Sequence, residues 1–517
     1  MVLVDRLRGS LPGRDPTERG WSLDFRRIGF VAAGLTAALV VSAFTPAAAR
    51  ANSYDPVNDM NSMYNTTAYS GATAWWNAGY TGHGVDVAII DTGVSPVEGL
   101  ATPGKIVYGP DLSFESQAPN LTNLDTNGHG TFMAGIIAGR GSNADFLGVA
   151  PDARIVSLKV GVADGGADVS QVIAAIDWVV QHKTDHGLNI RVLNLSYGTN
   201  STQSYVHDPL AYAVERAWQA GIFVVTAAGN SGYVAHTGSL TDPAYDPHVF
   251  AVGASDSMKT ATTADDTVPS FSSAGSISRS PDLVAPGTHI VSLRVPGSYI
   301  DDMYRKTGEV TKTLFRGSGT SEAAAFVAGA AALVIQQRPS IKPDQLKKLF
   351  LMNTSPLDGF SVRKQGQGEV DLTSMLTAKT PTPPNQWRTV PWSDGSGSLE
   401  ASRGTDHLTA GGVVLSGERD IFGAPFHSAA MAKLEAKGRS WSGGTWNGSR
   451  WSGSSWSGNS WSGSSWSGSS WSGSSWSGSS WSGNSWSGSS WSGNSWSGSS
   501  WSGISWSGSS WSGSSWS

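Results

Sequence analysis

Short runs of Val and Ile, separated by helical patterns, are the feature that most restricts the fold of this 517-residue chain. Several of these runs are apolar at both alternating positions, as strands buried on both faces of a parallel sheet must be. The intervening stretches place apolar residues on one helical stripe. The runs lie at residues 85–90, 153–160, 190–198, 221–230 and 249–255. The alternation predicts an α/β fold with a doubly wound, mostly parallel central sheet and helices on both faces.

Charge and cysteine content exclude two classes of partner. The net charge is −5 and charged residues make up 15% of the chain, so no basic face suggests a nucleic-acid partner. The chain has no cysteine, which excludes disulfides and thiolate metal sites. If the protein is exported, its stability must therefore come from packing or from bound ions.

The N-terminus has the pattern of an export signal. Arg26 and Arg27 precede an uncharged stretch at 28–44, and small residues follow at 47–51. We predict a signal peptide over residues 1–51, cleaved after Ala51, and a secreted or extracellular protein that meets the membrane only through this segment. A membrane anchor is the alternative, because 17 uncharged residues are at the lower limit for a span. The paired arginines leave Sec and twin-arginine export both open.

Composition divides the rest of the chain into three parts. Residues 52–377 have the composition of an ordinary α/β domain. Residues 378–440 form a Pro/Gly/Ser-rich linker region with apolar runs too short for a core of their own. Residues 441–517 form a low-complexity tail of five-residue repeats, mostly WSGSS or WSGNS, with sixteen Trp residues at every fifth position.

The repeat does not correspond to a simple strand or helix. A period of five sends successive Trp side chains to opposite faces of a flat strand, and Gly and Ser at this density destabilise a helix. Either the tail is disordered, or it is a regular turn-rich stack held by Trp layers. Its Trp rings suit stacking on sugar rings, as in cell-wall glycan. A spacer or self-association tract is the alternative function, and both remain open.

Polar residues suited to acyl transfer stand at the ends of the predicted elements. Asp91 and Asn230 follow apolar strands, whereas His129 and Ser321 begin small-residue helices. A weak hydroxyl nucleophile needs an imidazole as its base and a carboxylate to orient the ring. An amide donor then stabilises the oxyanion that develops during attack.

Five short segments in this order resemble the subtilisin-like serine peptidases (subtilases) of the secreted bacterial type. They are DTG at 91–93, HGT at 129–131, AAGN at 227–230, APG at 285–287 and GTS at 319–321. The order Asp, His, Asn, Ser is that of the family. The resemblance extends over about residues 65–375. It implies the subtilisin-like fold and makes residues 52–377 the expected catalytic domain.

The resemblance also implies roles for particular residues. Ser321 would be the nucleophile, His129 the base and Asp91 the residue that orients it, with Asn230 and the Ser321 N–H in the oxyanion hole. Peptide substrates would pair with two segments, namely Ser196, Tyr197 and Gly198 on one side and Gly165 and Gly166 on the other. We expect no cofactor. Subtilases often carry calcium, but the loop acids Asp265, Asp266, Asp301 and Asp302 receive no assignment, so we predict no metal ligand.

Two features depart from the family pattern. Glu322 follows Ser321 where the family usually has Met, and its carboxylate would repel the oxyanion if it turned toward it. Only 40 residues separate Ala51 from Asp91, so we expect no inhibitory prodomain between them. The sequence therefore predicts a secreted serine endopeptidase acting on proteins. The alternative is an inactive subtilase-like surface or wall-binding protein that acts through its Trp-rich repeats.

Overall fold

A computed structural model describes residues 54–118, 120–141, 146–232, 240–276, 278–385, 389–410 and 413–450, and the tail dipeptides 471–472, 475–476, 491–492 and 495–496. The predicted signal peptide lies outside these residues. Within the described part of the chain, no helix has the length and apolar content needed to cross a membrane.

A nine-stranded sheet is the centre of the structure, and a separate antiparallel pair, β8 and β9, lies outside it. The strands are β1 (Asp86–Asp91), β2 (Ile106–Asp111), β3 (Arg154–Lys159), β4 (Ile190–Leu195), β5 (Phe223–Ala227), β6 (Phe250–Ser255), β7 (Leu283–Pro286), β8 (Ile290–Leu293), β9 (Leu314–Gly317), β10 (Thr354–Ser355) and β11 (Glu369–Val370). Their order in the sheet is β10-β11-β7-β6-β5-β4-β1-β3-β2, and every pairing is parallel except β10 with β11. The predicted fold class is confirmed.

Twelve α-helices surround the sheet in the described residues. They are α1 (Met63–Tyr69), α2 (Ala72–Asn77), α3 (His129–Ala138), α4 (Val169–His182), α5 (Pro209–Gln219), α6 (Tyr299–Gly308), α7 (Thr320–Gln337), α8 (Pro343–Met352), α9 (Val362–Gln365), α10 (Leu372–Thr377), α11 (Leu399–Arg403) and α12 (Ser428–Glu435). The central helix, α7, is buried from Thr320 to Ile335 and packs on α3 and on β4 to β7. Its many alanines favour a helix and keep it close to the sheet.

The strand order reverses between β1 and β4. After β1 the chain builds β2 and β3 on one side of it, then crosses to β4 on the other side. In open α/β sheets, sites form outside the carboxyl ends of the strands at such a reversal. Asp91 ends β1, and Ser196 directly follows β4. The topology therefore brings the ends of these two strands to one crevice.

The segment predicted as a linker contributes to the core of the domain in front of it. Its buried apolar side chains belong to the same core cluster as the strands, and they include Leu399, Leu415, Ile421, Phe422, Phe426 and Met431. Arg403 is fully buried and forms an ion pair with Asp168, the N-cap of α4, at 2.6 Å. The apolar runs are too short for a core of their own, and they bury themselves against the catalytic domain instead. The domain boundaries remain a prediction.

The first repeats of the tail fold as tight hairpins. After the pair β12 (Thr409–Ala410) and β13 (Val413–Val414) come β14 (Trp441–Ser442), β15 (Thr445–Trp446) and β16 (Ser449–Arg450), all antiparallel. Trp441 pairs directly with Trp446 across a two-residue turn. Trp471 pairs likewise with Trp476, and Trp491 with Trp496.

This hairpin corrects the expectation that successive Trp side chains lie on opposite faces, which assumed a flat strand. Because the chain reverses after two residues, residues i and i+5 become cross-strand partners, and partners lie on the same face. Both rings of the first pair are buried, and their indole N–H groups donate to the protein. Trp441 donates to the Ala174 carbonyl at 2.8 Å and Trp446 to Asp177 at 2.7 Å. These two rings are therefore not available for stacking on a glycan.

Candidate active site

Asp91 and His129 form a close contact at the carboxyl end of β1. Nδ1 of His129 lies 2.8 Å from one carboxylate oxygen of Asp91 and 3.0 Å from the other. Both side chains are buried. Nε2 of His129 is also buried and has no hydrogen-bond partner among the described residues. The ring is thus held on one side and left with an unused nitrogen on the other.

The Asp91 carboxyl is held in its ionised form. Burial by itself would raise its pKa, but the adjacent His129 ring, its hydrogen bond and the Thr92 N–H together lower the pKa below the usual value. An ionised carboxylate at this position fixes the tautomer in which Nδ1 carries the proton. The tautomer leaves Nε2 as the acceptor.

Two glycines bring α3 close to the loop that follows β1. Gly128, the N-cap of α3, has φ 104°, in the region that side chains rarely adopt. A Cβ on Gly130 would lie 2.1 Å from the Gly93 carbonyl oxygen. The glycines around His129 are therefore required by the close packing of this helix against the Asp91 loop.

Asp125 connects the Asp91 loop to α3, and the sequence analysis missed it. Its carboxylate accepts hydrogen bonds from the Gly128 and Thr131 N–H groups, both at 2.7 Å. It also accepts from the Thr92 hydroxyl at 2.8 Å. Lys159, fully buried, donates to the Thr92 carbonyl at 2.7 Å and pairs with Glu115. The signal for Asp125 was an acid just before the NGHG turn, where a helix begins and favours negative charge.

Asn230 contacts Thr320, the residue before Ser321, at the start of α7. The Asn230 side-chain oxygen accepts from the Thr320 N–H at 2.9 Å and from the Thr320 hydroxyl at 3.0 Å. This pairing leaves the Asn230 Nδ2 group as the remaining donor. Ser321 is buried, and its carbonyl accepts a long hydrogen bond of 3.4 Å from the Ser196 hydroxyl.

The Glu322 carboxyl is buried beside these residues. A Cβ on Gly319 would lie 2.7 Å from Glu322 Oε2 and 3.2 Å from Asn230 Nδ2, so the two groups flank the same backbone position. Oε2 has no hydrogen-bond partner among the described residues. Burial raises the pKa of Glu322, the nearby His129 opposes this, and Asp91 adds to it. Glu322 and His129 also line a cavity of about 360 Å³, with Phe132 and Phe315 among its walls.

Comparison with known proteins shows the family to which the chain belongs. The chain matches the family described as the subtilase family, Peptidase S8, over residues 82–372, more than half of its length. The chain belongs to the subtilase family. All five motif segments of the sequence analysis lie within the matched range.

Several named proteases are similar to this subtilase. Serine protease AprX of Bacillus subtilis (strain 168) is 39% identical over 300 residues, which is 56% of this chain and 66% of AprX. Subtilisin DY of Bacillus licheniformis is 34% identical over 270 residues, 52% of this chain and 83% of that protein. Subtilisin Savinase of Lederbergia lenta is 35% identical over 300 residues, 58% of this chain and 93% of that protein. The family and these relatives make the chain a serine-type endopeptidase with protein or peptide substrates.

The two predicted substrate-binding segments of the subtilase differ in the residues that surround them. Ser196 contacts the Ser321 carbonyl, and the Tyr197 side chain is buried. Gly198 packs tightly on Thr241. Gly165 and Gly166 form a turn after β3 in which the Val162 N–H donates to the Gly166 carbonyl at 3.1 Å. Gly166 contacts Leu408 of the C-terminal segment.

The loop acids considered for calcium have other partners. Asp301 pairs with Arg294 at 2.6 Å and with Arg305 at 2.7 Å, and Asp302 also pairs with Arg305. Asp265 accepts from the Thr260 hydroxyl at 2.7 Å. Asp266 is buried and faces the buried carboxyl of Glu369, with which it forms a side-chain hydrogen bond. In the described part of the chain, one group has the spacing of metal ligands, formed by Glu215, Asp246 and His248, and the sequence analysis missed it.

Proposed function

We propose that the chain is a secreted endopeptidase that hydrolyses peptide bonds in proteins through an Asp91–His129–Ser321 triad and an acyl-enzyme. The observation that supports this best is the His129 ring. Its Nδ1 is held by Asp91 at 2.8 Å, and its buried Nε2 has no partner among the described residues. A nitrogen in that state can accept the proton of a serine hydroxyl.

In the proposed reaction, these residues act in sequence. Ser321 Oγ attacks the scissile carbonyl carbon while His129 Nε2 takes the hydroxyl proton. Asn230 Nδ2 and the Ser321 N–H donate to the oxyanion of the tetrahedral intermediate. The C–N bond breaks as His129 returns the proton to the leaving amine, which gives the acyl-enzyme. Water, deprotonated by His129, hydrolyses the ester and releases Ser321.

The remaining assignments are part of the same proposal. The Ser196–Gly198 and Gly165–Gly166 segments would pair with the substrate main chain, which gives limited sequence preference. The apolar cavity beside His129 and Glu322 would accept a substrate side chain. The reaction needs no cofactor, and calcium would serve only as a structural ion without assigned ligands.

The cellular location of the protein and the function of its tail are inferred from the sequence alone. The segment 1–51 supports export and an extracellular site of action. Cell-wall association through the Trp-rich tail stays a proposal that concerns the repeats after residue 450, because the rings of the first two repeats are buried. A spacer role for the same repeats is its alternative.

Active-site labelling with a fluorophosphonate probe tests the proposed function. We expect the wild type to be labelled at Ser321, and the Ser321→Ala variant not to be labelled. The His129→Ala variant should label far more slowly, by about 10³-fold or more, because no base activates the hydroxyl. A folded wild type that does not react would contradict the proposed endopeptidase activity and favour the alternative, an inactive surface protein.

A further inference from the structure

A second cluster of chemically active side chains lies outside the active site. Glu215 on α5 and Asp246 and His248 in the loop before β6 each offer a ligand atom, and these atoms all lie within 4.8 Å of one another. Glu215 is 1% exposed, Asp246 0% and His248 8%. The proposed proteolytic mechanism uses none of them.

One oxygen of each carboxylate in this cluster has no hydrogen-bond partner among the described residues. Glu215 accepts from the Ser393 N–H at 2.7 Å through Oε2, and its Oε1 is unpartnered. Asp246 accepts from the His248 N–H at 2.8 Å through Oδ1, and its Oδ2 is unpartnered. Buried carboxylate oxygens are costly unless a donor or a cation meets them.

The nearby basic side chains are directed to another acid. Arg279 contacts Asp282 at 3.1 Å, and Lys347 contacts the same carboxylate at 3.1 Å. They reach Asp246 only as more distant charges. Among the described residues, the two buried carboxylates therefore face each other and a histidine ring without a direct ion pair to a lysine or an arginine.

The distances within the cluster fit the coordination shell of a small ion. His248 Nε2 lies 4.0 Å from Glu215 Oε1 and 3.0 Å from the Pro391 carbonyl oxygen. Atoms bonded to one tetrahedral Zn²⁺ at about 2.0–2.2 Å lie roughly 3.3–3.6 Å apart, so small movements of these side chains would complete the shell. Trp392 stacks on the His248 ring, with centroids 3.7 Å apart and an interplanar angle of 11°, and so restricts the orientation of the imidazole.

We propose that Glu215, Asp246 and His248 bind a divalent transition-metal ion of the Zn²⁺ type, with the Pro391 carbonyl as a fourth ligand. An imidazole beside two carboxylates favours such an ion, whereas Ca²⁺ and Mg²⁺ prefer oxygen ligands alone. The two carboxylates balance the charge of the ion. As the metal binds, the neutral His248 ring moves its proton from Nε2, where it otherwise donates to the Pro391 carbonyl, to Nδ1, and any protons held on the Glu215 and Asp246 carboxyls leave to solvent.

The bound ion would join parts of the chain that are far apart in sequence. Glu215 belongs to α5, Asp246 and His248 precede β6, and residues 391–393 begin the C-terminal segment that packs on the domain. Metal binding to the folded state stabilises it by mass action. The ion would therefore strengthen the attachment of the C-terminal segment without taking part in hydrolysis.

Zinc titration of the full-length protein tests the proposal. We expect one Zn²⁺ to bind to the chelator-treated wild type, with proton release, and to raise the thermal midpoint. Glu215→Gln and Asp246→Asn should each weaken this binding by about 100-fold or more. Glu215→Gln keeps an oxygen for the Ser393 N–H, so it is the less disruptive of the two. Fluorophosphonate labelling and circular dichroism report whether each variant is folded.

Glu369→Gln is the matched control. Glu369 is also a buried glutamate beside a second buried acid, Asp266, and it accepts from the Ser255 hydroxyl at 2.6 Å, but within the described part of the chain it belongs to no group with the spacing of metal ligands. It should keep the zinc affinity of the wild type. A wild type that binds no zinc would overturn the proposal even if both variants fail to fold. So would zinc binding that is the same in wild type, Glu215→Gln and Asp246→Asn.

Discussion

At the scale of single residues, Glu322 is the least ordinary feature of the site. It occupies the first turn of α7, where a carboxylate complements the helix dipole by about 0.3–1 kcal/mol. The same carboxylate flanks Gly319 together with the Asn230 amide that we propose for the oxyanion hole. If the oxyanion forms at the Asn230 amide as proposed, an ionised Glu322 would support the helix and oppose the charge that develops in the reaction.

The Glu322→Gln variant should be the more active enzyme at alkaline pH. Burial raises the pKa of Glu322, so the neutral form persists above the usual range of a glutamate and repulsion begins only as the pH passes the raised pKa. Removing about 1.4 kcal/mol of repulsion would raise kcat about tenfold. The measurement is kcat against pH for both proteins.

Stability supplies a second measurement on the same variant. A raised pKa means that the wild type loses stability as the pH rises from the ordinary to the raised value, and the glutamine variant should not show this loss. Asp302→Asn, an exposed acid on α6, is the control and should match the wild type in both respects. Identical pH–rate profiles for Glu322→Gln and wild type would show that the Glu322 charge does not affect the stability of the oxyanion.

At the scale of elements, the buried pair of Arg403 and Asp168 links α11 to the start of α4. Asp168 also caps α4 by accepting from the Ser170 N–H at 2.9 Å. Removing one member of a buried pair leaves the other charge without compensation, whereas an exposed pair contributes little.

Arg403→Met should therefore destabilise the protein by about 3–5 kcal/mol. Arg140→Met removes one partner of the exposed pair with Asp152 and should change stability by less than about 1 kcal/mol. Urea unfolding measures both. The double variant with Asp168→Asn should recover part of the loss. Equal effects of the two arginine substitutions would show that burial of the pair does not matter.

The elements also show which parts of the structure the sequence predicted. The five Val/Ile runs all became strands, because burial on both faces gives them an uninterrupted apolar pattern. Strands β2 and β7 were missed since IVYGPD and LVAP carry Gly or Pro and look like loops. The motif segments indicated Asp91, His129 and Asn230 because each stands at an element boundary. Asp125 and the Glu215 cluster were missed because their partners are distant in sequence and only the fold assembles them.

At the scale of the whole molecule, the first two tail repeats are attached to the catalytic domain through buried acids. Trp446 donates to Asp177 on α4, and Glu435 at the end of α12 lies near enough to interact with that carboxyl. Burial raises the pKa of both acids, and the positive charge of Arg216 only partly opposes this. The attached state therefore favours protonated carboxyls.

Attachment of residues 441–450 should weaken as the pH rises from 5 to 8. A raised pKa in the attached state means that its stabilisation is present at low pH and lost as the pH passes that pKa. Hydrogen exchange of the backbone amides, corrected for the intrinsic pH dependence, measures this in the Ser321→Ala variant, which should not digest itself. Asp177→Asn should remove most of the effect. Corrected protection that is equal at both pH values would contradict the prediction.

The two-residue turn between Trp441 and Trp446 has a consequence for how the tail can change in length. The hairpin from Trp441 to Trp446 contains one five-residue repeat and ends on the first residue of the next repeat. A gain or loss of whole repeats therefore leaves the five-residue spacing of the Trp residues unchanged, whereas a single inserted residue would change it. We expect changes in the number of repeats to be tolerated beyond the first two, because Trp441 and Trp446 are hydrogen-bonded to α4 and must keep their place.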